Sequence, residues 1–261
     1  MCSTTSFDLL FRFKQILLFI GISSLLKAPL PVLAQTRITG DSTLPTQVNI
    51  IQGGIHEITG GSRPENATNL FHSLKEFSIQ SGDTVRFVHD TGIENILTRV
   101  TGNSPSNING TIQTWIDGIQ PSTANLFLIN PQGIIFGPNA TLDIGGSFIG
   151  STAEKIKFAD GTEFNAINPS IKPLLTISVP LGLQFGSNSN SSININGSGN
   201  NLKGKRNNPI DRSNRASGLN YQNSNNQTLA LIGNDIILDG GNIIFPSGTV
   251  ELWSVKQGEI P

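Results

Sequence analysis

The stretch NLFLINPQGIIFGPNA, residues 125–140, decides the fold because it joins two apolar runs through turns that contain proline. Asn130, Pro131, Gln132 and Gly133 fit the four positions of a type I β-turn. Asparagine caps the first position, proline presets φ at the second, and glycine suits the fourth. A tight turn between short apolar runs predicts a sharp corner between two consecutive β-strands.

A second corner follows in the same stretch. Gly137, Pro138 and Asn139 begin another turn with proline at its second position, and the apolar runs start at Asn125 and Ile134. None of these residues forms part of a nucleophile or acid–base pattern. Turn chemistry therefore accounts for the motif, and we predict no catalytic residue here.

Short apolar runs separated by glycine turns also occupy other parts of the chain, at 48–61 and 228–255. Such strands with tight corners fit either a β-sandwich or a right-handed parallel β-helix, and the loose periodicity favours the β-helix. The runs LFLI and LALI are apolar at consecutive positions, which predicts strands covered on both faces.

One segment has a different pattern, NATNLFHSLKEFSI at 66–79. Leu70, Phe71, Leu74 and Phe77 follow the spacing of one helical face, so the pattern predicts a short helix. His72 would then be a capping group or lie at the edge of the core.

The first 34 residues have the pattern of an export signal. Arg12 and Lys14 precede an apolar run, and a small-residue cleavage site ends at Ala34. The apolar run is too short to span a bilayer, which argues against the alternative of a membrane anchor. We predict export by the Sec machinery and cleavage after Ala34, which would remove Cys2, the single cysteine.

Composition divides the remainder of the chain into three parts. Residues 35–186 and 227–261 read as β-helix coils, whereas 187–226 is dominated by Asn, Ser and Gly and predicts a flexible loop. The loop carries several basic residues but only Tyr221 to stack on a base. With a net charge of −1 for the whole chain, we predict no nucleic-acid partner.

The residues that commonly carry chemistry do not form a recognised pattern. His56, His72 and His89 lack metal-ligand spacing, and His56 is expected on a solvent-facing strand position. The aspartates sit at turns, where they cap their own backbone. We predict no catalytic residue, metal or cofactor. A polysaccharide lyase or hydrolase with acids and bases on one face, and a calcium site, stay open as alternatives.

NLFLINPQGIIFGPNATLDIGGSFIGSTA, residues 125–153, resembles the central signature of the filamentous haemagglutinin N-terminal domain, also called the two-partner secretion domain, and is most similar to cyanobacterial-type members. The resemblance continues at 66–79, 94–112, 180–186 and 228–255. It implies a right-handed parallel β-helix with an N-terminal cap and small extra-helical β elements.

The resemblance also implies a function and a site. Members of this family are exported to the cell surface or medium through the periplasm, by an outer-membrane β-barrel transporter with periplasmic domains. The family's NPNGI element corresponds to Asn130–Ile134, with Gln132 in place of the usual asparagine. Asn66, Asn69 and Leu70 stand where a companion NPNL element could act as a secondary recognition site.

We therefore expect a non-catalytic, adhesin-like exoprotein with a glycan or protein receptor on a host or other cell surface. Family members usually continue into a long passenger, whereas this chain ends at Pro261. We expect a fragment, a degraded copy or a short exoprotein.

Overall fold

The computed structural model describes residues 35–65, 67–169, 175–186, 191–199, 217–222 and 226–261, which form strands and no helix. The first strands are β1 (Arg37–Gly40), β2 (Thr46–Ile51), β3 (Ile55–Gly60), β4 (Asn69–Ser78), β5 (Thr84–His89), β6 (Asn95–Val100), β7 (Ser106–Ile108), β8 (Thr111–Ile116), β9 (Gln120–Pro121), β10 (Asn125–Ile129), β11 (Ile134–Phe136) and β12 (Thr141–Asp143). The later strands are β13 (Phe148–Ser151), β14 (Lys155–Phe158), β15 (Glu163–Asn165), β16 (Pro180–Phe185), β17 (Ser192–Asn196), β18 (Gly218–Gln222), β19 (Gln227–Gly233), β20 (Asp235–Asp239), β21 (Asn242–Ile244), β22 (Gly248–Ser254) and β23 (Gly258–Ile260).

Three sheets of mostly parallel strands form the body of the molecule. Sheet A has the order β1-β4-β6-β10-β13-β19-β22, sheet B the order β2-β3-β5-β8-β12-β18-β21 with β9 beside β8, and sheet C the order β20-β17-β11-β7. The chain passes through A, C and B in turn: β10, β11 and β12 belong to these sheets before β13 returns to sheet A beside β10. This repeat confirms the parallel β-helix and excludes the sandwich.

The interior of the β-helix is filled by alternate side chains of all three sheets. Leu126 and Leu128 of sheet A, Ile134 and Phe136 of sheet C, and Leu142 of sheet B are each fully buried in one cluster. The intervening residues of these strands point away from the interior, as strand geometry requires. The corners at both predicted turns therefore direct three short apolar runs into a single core.

A fourth sheet, sheet D, lies outside the β-helix and consists of β15-β14-β16-β23 in antiparallel order. It packs on the outer face of sheet A, where Phe71 lies 5.8 Å from Phe158 and 5.1 Å from Phe164 between ring centroids. Phe127 and Ile129 belong to the same outer cluster. Both faces of sheet A are thus covered, which explains the uninterrupted apolar run LFLI. Sheet D provides the extra-helical β elements that the family resemblance predicts.

The helix predicted at 66–79 is wrong, because this segment forms β4. Leu70 and Leu74 face the interior. Gly40 of β1 pairs with Leu74, but Thr39 pairs with Glu76, so β4 has one extra residue at this point and Phe77 also faces inwards. A β-bulge of this kind changes which alternate residues are buried. Phe71 is apolar as well, but it faces the outer cluster. The bulge and Phe71 together give these four residues the spacing of one helical face.

Two strands, β17 and β18, lie within the segment 187–226 and continue sheets C and B. Ile193, Ile195, Leu219 and Tyr221 are buried in the interior, which the Asn- and Ser-rich composition did not predict. Residues 187–190, 200–216 and 223–225 lie outside the described residues, as do the signal-peptide and cleavage predictions for 1–34. In the described part of the chain, no helix has the length and apolar character to cross a membrane.

Candidate functional site

The first predicted turn is held by both the backbone and the side chain of Asn130. The Gly133 N–H donates to the Asn130 carbonyl at 3.0 Å, and Asn130 Oδ1 accepts from the Gln132 N–H at 2.9 Å. Asn130 Nδ2 donates to the Ser104 carbonyl at 3.1 Å and to Ser106 Oγ at 3.0 Å, in the preceding corner. Asn130 is fully buried, so its amide joins two stacked corners and is not presented to solvent.

The other residues of the motif are also packed, with one exception. Gly133 has a φ of 116°, a conformation that favours glycine, and a Cβ there would lie 3.1 Å from the Ser192 carbonyl oxygen. Ile134 is fully buried in the core, and Pro131 is buried as well. Gln132 alone is exposed, so it is the motif residue that a partner could contact directly.

The second predicted turn is supported in the same way by the corner before it. The Ala140 N–H donates to the Gly137 carbonyl at 3.1 Å, and Asn109 Oδ1 accepts from the Asn139 N–H at 3.0 Å. Gly137 must remain small because a Cβ would lie 2.3 Å from Asn109 Oδ1. Pro138 and Asn139 are exposed at the tip of the turn.

A ladder of asparagine side chains connects the predicted residues Asn69 and Asn125. Asn125 Nδ2 donates to Asn95 Oδ1 at 3.0 Å, and Asn95 Nδ2 donates to Asn69 Oδ1 at 3.0 Å. Asn69 Nδ2 in turn donates to the carbonyls of Thr176 and Ser178, at 3.3 and 2.7 Å. The ladder thus fastens three successive coils to the segment that leads into sheet D.

Asn95 is the residue of this ladder that the sequence analysis missed. Its signal is a repeated pattern of asparagine before two apolar residues, at Asn69, Asn95 and Asn125, which are 26 and 30 residues apart. Leu70 is buried in the interior cluster, and Asn66 lies outside the described residues. The structure therefore makes Asn69 and Asn125 members of one hydrogen-bond chain, in which Asn69 is buried and the other two asparagines are half-buried.

A second polar cluster surrounds Arg99, which is 1% exposed. Arg99 Nε donates to Ser73 Oγ at 2.7 Å, Nη1 to the Asn165 carbonyl at 2.7 Å, and Nη2 to Thr43 Oγ1 at 2.8 Å. The guanidinium also lies over the Phe164 ring, 4.5 Å from its centroid. Burial lowers the pKa of Arg99 to about 10, and the nearby charge of Asp41 opposes this effect.

Asp41 is the carboxylate of the same cluster. Its oxygens accept from Ser73 Oγ at 2.6 Å, Thr43 Oγ1 at 2.7 Å and Thr101 Oγ1 at 2.9 Å. Burial raises the pKa of Asp41, but these hydrogen bonds outweigh burial and hold the pKa below its usual value. Asp41 and Arg99 thus share the hydroxyls of Ser73 and Thr43, and Arg99 also reaches the Asn165 carbonyl, so the cluster connects the loop between β1 and β2 with sheets A and D.

The three histidines lie apart from the motif and have separate surroundings. His56 was expected to face solvent, and this is wrong: its side chain is 11% exposed and Nε2 lies 3.4 Å from Asp83 Oδ2. His89 Nε2 lies 2.7 Å from Ser122 Oγ. His72 is fully buried inside the β-helix, and burial lowers its pKa to about 3 with a further contribution from His89.

The described residues contain no group of three or more His, Cys, Asp or Glu side chains placed to hold a metal ion. The motif corners provide backbone turns and buried amides, which stabilise stacked coils. Gln132, Pro138 and Asn139 are the predicted site residues that can be contacted from outside. The arrangement is suited to presenting a rigid surface to another macromolecule.

A comparison with protein families identifies what this chain is similar to. The family model of the TPS secretion domain matches residues 36–261, which is nearly all of the chain after the predicted signal. A comparison with curated proteins gives no match.

Proposed function

This chain belongs to the TPS secretion domain family, and we propose that it is a non-catalytic, adhesin-like exoprotein exported through a dedicated outer-membrane β-barrel transporter. The family match over residues 36–261 is the observation that carries this proposal. A signal peptide cleaved after Ala34 would deliver the chain to the periplasm by the Sec route. The transporter's periplasmic domains would receive it there.

The architecture suits export followed by folding at the cell surface. Each coil of sheets A, B and C contacts the coils beside it, so a chain that emerges gradually can fold by adding one coil to the last. The only cysteine, Cys2, lies in the predicted signal. The exported domain would then need no disulfide formation, and its stability would come from the two apolar clusters and the hydrogen-bonded corners.

Export is expected to depend on a transporter of the two-partner secretion type. The complete chain would be produced in a Gram-negative host, alone and together with candidate transporters of this type. Chain in the medium or at the cell surface would be quantified against a periplasmic marker. We expect release with at least one transporter and none without. Release at the same level in the absence of any transporter would overturn the proposed function.

We propose further that the motif acts by holding the corner. Asn130→Ala should lower the free energy of unfolding by about 1–3 kcal/mol, because it leaves the Ser106 hydroxyl and the Gln132 N–H without their buried partner. Gln132→Ala is the matched control on the same turn. It should leave both stability and transporter-dependent export unchanged, since its side chain is exposed.

Urea unfolding of the purified chain from residue 35 onward would measure stability, and the release assay would measure export. Gln132→Asn, which restores the residue usual in the family, should match the original chain in both. A loss of export in Gln132→Ala at unchanged stability would instead show that the transporter reads the turn directly.

A further inference from the structure

The outer face of sheet B is a broad polar surface. The interior positions of its central strands, such as Val85 and Phe87 in β5, Ile112 in β8 and Leu142 in β12, are buried in the core. The residues that alternate with them therefore point outwards, and they are half-exposed. These outward residues are Thr84, Arg86 and Val88 of β5, Thr111, Gln113 and Trp115 of β8, and Thr141 and Asp143 of β12.

Side chains at equivalent positions of this face form ladders that run along the β-helix. In one ladder Arg86, Gln113 and Asp143 are paired in register on β5, β8 and β12. Arg86 Nε donates to Gln113 Oε1 at 2.9 Å, and Gln113 Nε2 donates to Asp143 Oδ2 at 2.7 Å. These hydrogen bonds hold the side chains in place, so a ligand would lose less binding energy to ordering them. The ladder repeats polar groups at the strand spacing of about 4.8 Å.

Trp115 is the aromatic residue among these outward side chains. The Arg86 guanidinium lies over its ring, 4.4 Å from the centroid, which fixes the indole on the sheet. In register it lies beside Val88 of β5 on one side and Pro121 of β9 on the other. A half-exposed indole among polar side chains offers an apolar surface next to hydrogen-bonding groups.

A cleft of about 510 Å³ lies at the end of the same face, where β3 and β5 end. Val88, the neighbour of Trp115, lines this cleft together with Asp90 and Asp117. Asp117 has a φ of 52°, and its N–H donates to the His89 carbonyl at 2.9 Å, so its backbone is held at the rim. Asp90 and Asp117 are exposed, and their carboxylates accept hydrogen bonds from a ligand that enters the cleft.

The chemistry of the face and the cleft matches a polysaccharide. Sugar rings carry hydroxyl groups that donate and accept hydrogen bonds, and they also have apolar C–H faces that pack on aromatic rings. Amide, hydroxyl and carboxylate side chains of the face match the hydroxyl groups, and Trp115 matches the C–H faces. The core of a protein–protein interface is instead apolar and depleted of charged residues.

The charges of the surface favour a neutral polysaccharide over an anionic one. The face and its cleft together hold four carboxylates and two guanidinium groups, so an anionic chain would be repelled. The carboxylates are those of Glu57, Asp90, Asp117 and Asp143, and the guanidinium groups are those of Arg63 and Arg86.

We propose that the outer face of sheet B and its cleft bind a neutral polysaccharide of a cell surface, with one sugar ring on Trp115. The chain of sugars lies across the strands, and its hydroxyl groups bond to the ladder and to Asp90 and Asp117. This inference rests on the adhesin part of the proposed function, to which it gives a ligand class and a site. The site is separate from the motif corners at 130–140.

Trp115→Ala tests the inference in the chain from residue 35 onward, which contains every described strand. The purified chain would be run in native gels that contain mannan, galactan or a neutral β-glucan, and retardation would give the affinity. We expect retardation by at least one of them, and Trp115→Ala should weaken it at least about tenfold. Trp115→Phe is the matched control, because it keeps an aromatic ring, and it should weaken binding by less than about threefold.

Tryptophan fluorescence provides a readout of the same site. The chain has two tryptophans, and Trp253 lies on β22 at the end of sheet A. In Trp253→Phe only Trp115 contributes to the emission, which should shift when the retarding polysaccharide is added. Binding that Trp253→Phe abolishes and Trp115→Ala retains would place the ligand on β22 and overturn the inference.

Asp117→Gly is a second test that does not alter the sheet. Its positive φ favours glycine, so the variant should melt no lower than the unchanged chain. It removes one carboxylate of the cleft, and binding should weaken by about tenfold. If Trp115→Ala does not fold, the decision passes to this variant, and an unchanged affinity of Asp117→Gly then overturns the inference.

The outcomes separate this inference from the proposed function. Release without any transporter would overturn the proposed export, whereas the gels measure binding by the purified chain directly. No retardation by a neutral polysaccharide, or retardation by alginate and dextran sulfate only, would overturn the inference. Equal affinities of Trp115→Ala and the unchanged chain would also overturn it. Light scattering tests a second copy as the occupant: a dimer that Trp115→Ala converts to monomer would contradict the polysaccharide site.

Discussion

Arg99→Met is expected to lower the free energy of unfolding by about 3 kcal/mol, because it removes three hydrogen bonds that a buried guanidinium donates, and hydrogen bonds to charged groups contribute more than neutral ones. Arg99 donates hydrogen bonds to Ser73, Thr43 and the Asn165 carbonyl, of which Ser73 is buried and the other two are half-buried. Methionine keeps much of the side-chain volume, so the loss would report the polar contacts more than a cavity. Urea unfolding of the chain from residue 35 onward would measure it.

Arg37→Met is the matched control on the surface. Its guanidinium pairs with Glu76 at 2.9 Å, but the Arg37 side chain is 66% exposed, and pairs of this kind contribute between about 0 and 1 kcal/mol. The double variant Asp41→Asn with Arg99→Met should lose less than the sum of its two single changes, since both groups bind the same hydroxyls of Ser73 and Thr43. An Arg99→Met variant as stable as Arg37→Met would show that the cluster contributes little to stability.

The parts of the fold that depend on local sequence could be predicted. The turn at Asn130–Gly133 is determined by residues that are adjacent in the chain, and the structure contains the predicted hydrogen bond between Gly133 and Asn130. The short runs between glycine turns likewise predicted strands, and LFLI predicted a strand covered on both faces. These features follow from turn geometry and strand alternation, which act over a few residues.

Features that depend on distant residues could not be predicted in this way. The bulge in β4 is visible only against its partner β1, so the spacing of Leu70, Leu74 and Phe77 was misread as a helix. Sheet D brings β23 from the end of the chain beside β16, and nothing in either segment alone indicates that pairing. Strands β17 and β18 could not be predicted from composition, since their buried residues lie in a part of the sequence that is rich in Asn, Ser and Gly.

The candidate site shows the same limit. The motif residues were found from their sequence, but the buried state of Asn130 depends on Ser104 and Ser106 in another coil. Asn95 became visible only when the register placed it between Asn69 and Asn125. A motif that is read as a surface signal can therefore act through packing, and the exposed residue Gln132 provides the sharper test of partner contact.

The chain is expected to lose about 3 kcal/mol of unfolding free energy as the pH falls from 6.5 to 4, through His72. Burial lowers the pKa of His72 from 6.5 to about 3 in the folded chain. Between these values the unfolded chain binds a proton that the folded chain does not. The contribution to stability is therefore present above pH 6.5 and declines by about 1.4 kcal/mol per pH unit as the pH falls.

The surroundings of His72 support this direction. Its Nε2 has no hydrogen-bond partner among the described residues, and Nδ1 lies 3.4 Å from Thr46 Oγ1. The ring lies 5.8 Å from that of Phe87, between centroids, inside the apolar core. A proton on this ring would place a charge in the interior of the β-helix, and none of the described carboxylates forms an ion pair with it, which is strongly unfavourable.

His72→Leu removes the titration and keeps an apolar side chain of similar size. Urea unfolding at pH 7, 6, 5 and 4 should show a much shallower loss of stability for this variant than for the unchanged chain. Ending the series at pH 4 limits the contribution of Asp41, Asp83 and Asp160, whose lowered pKa values make their stabilisation decline mainly below that pH. Parallel curves for the two chains would contradict the assignment to His72, because the acid sensitivity would then arise from groups that both chains retain.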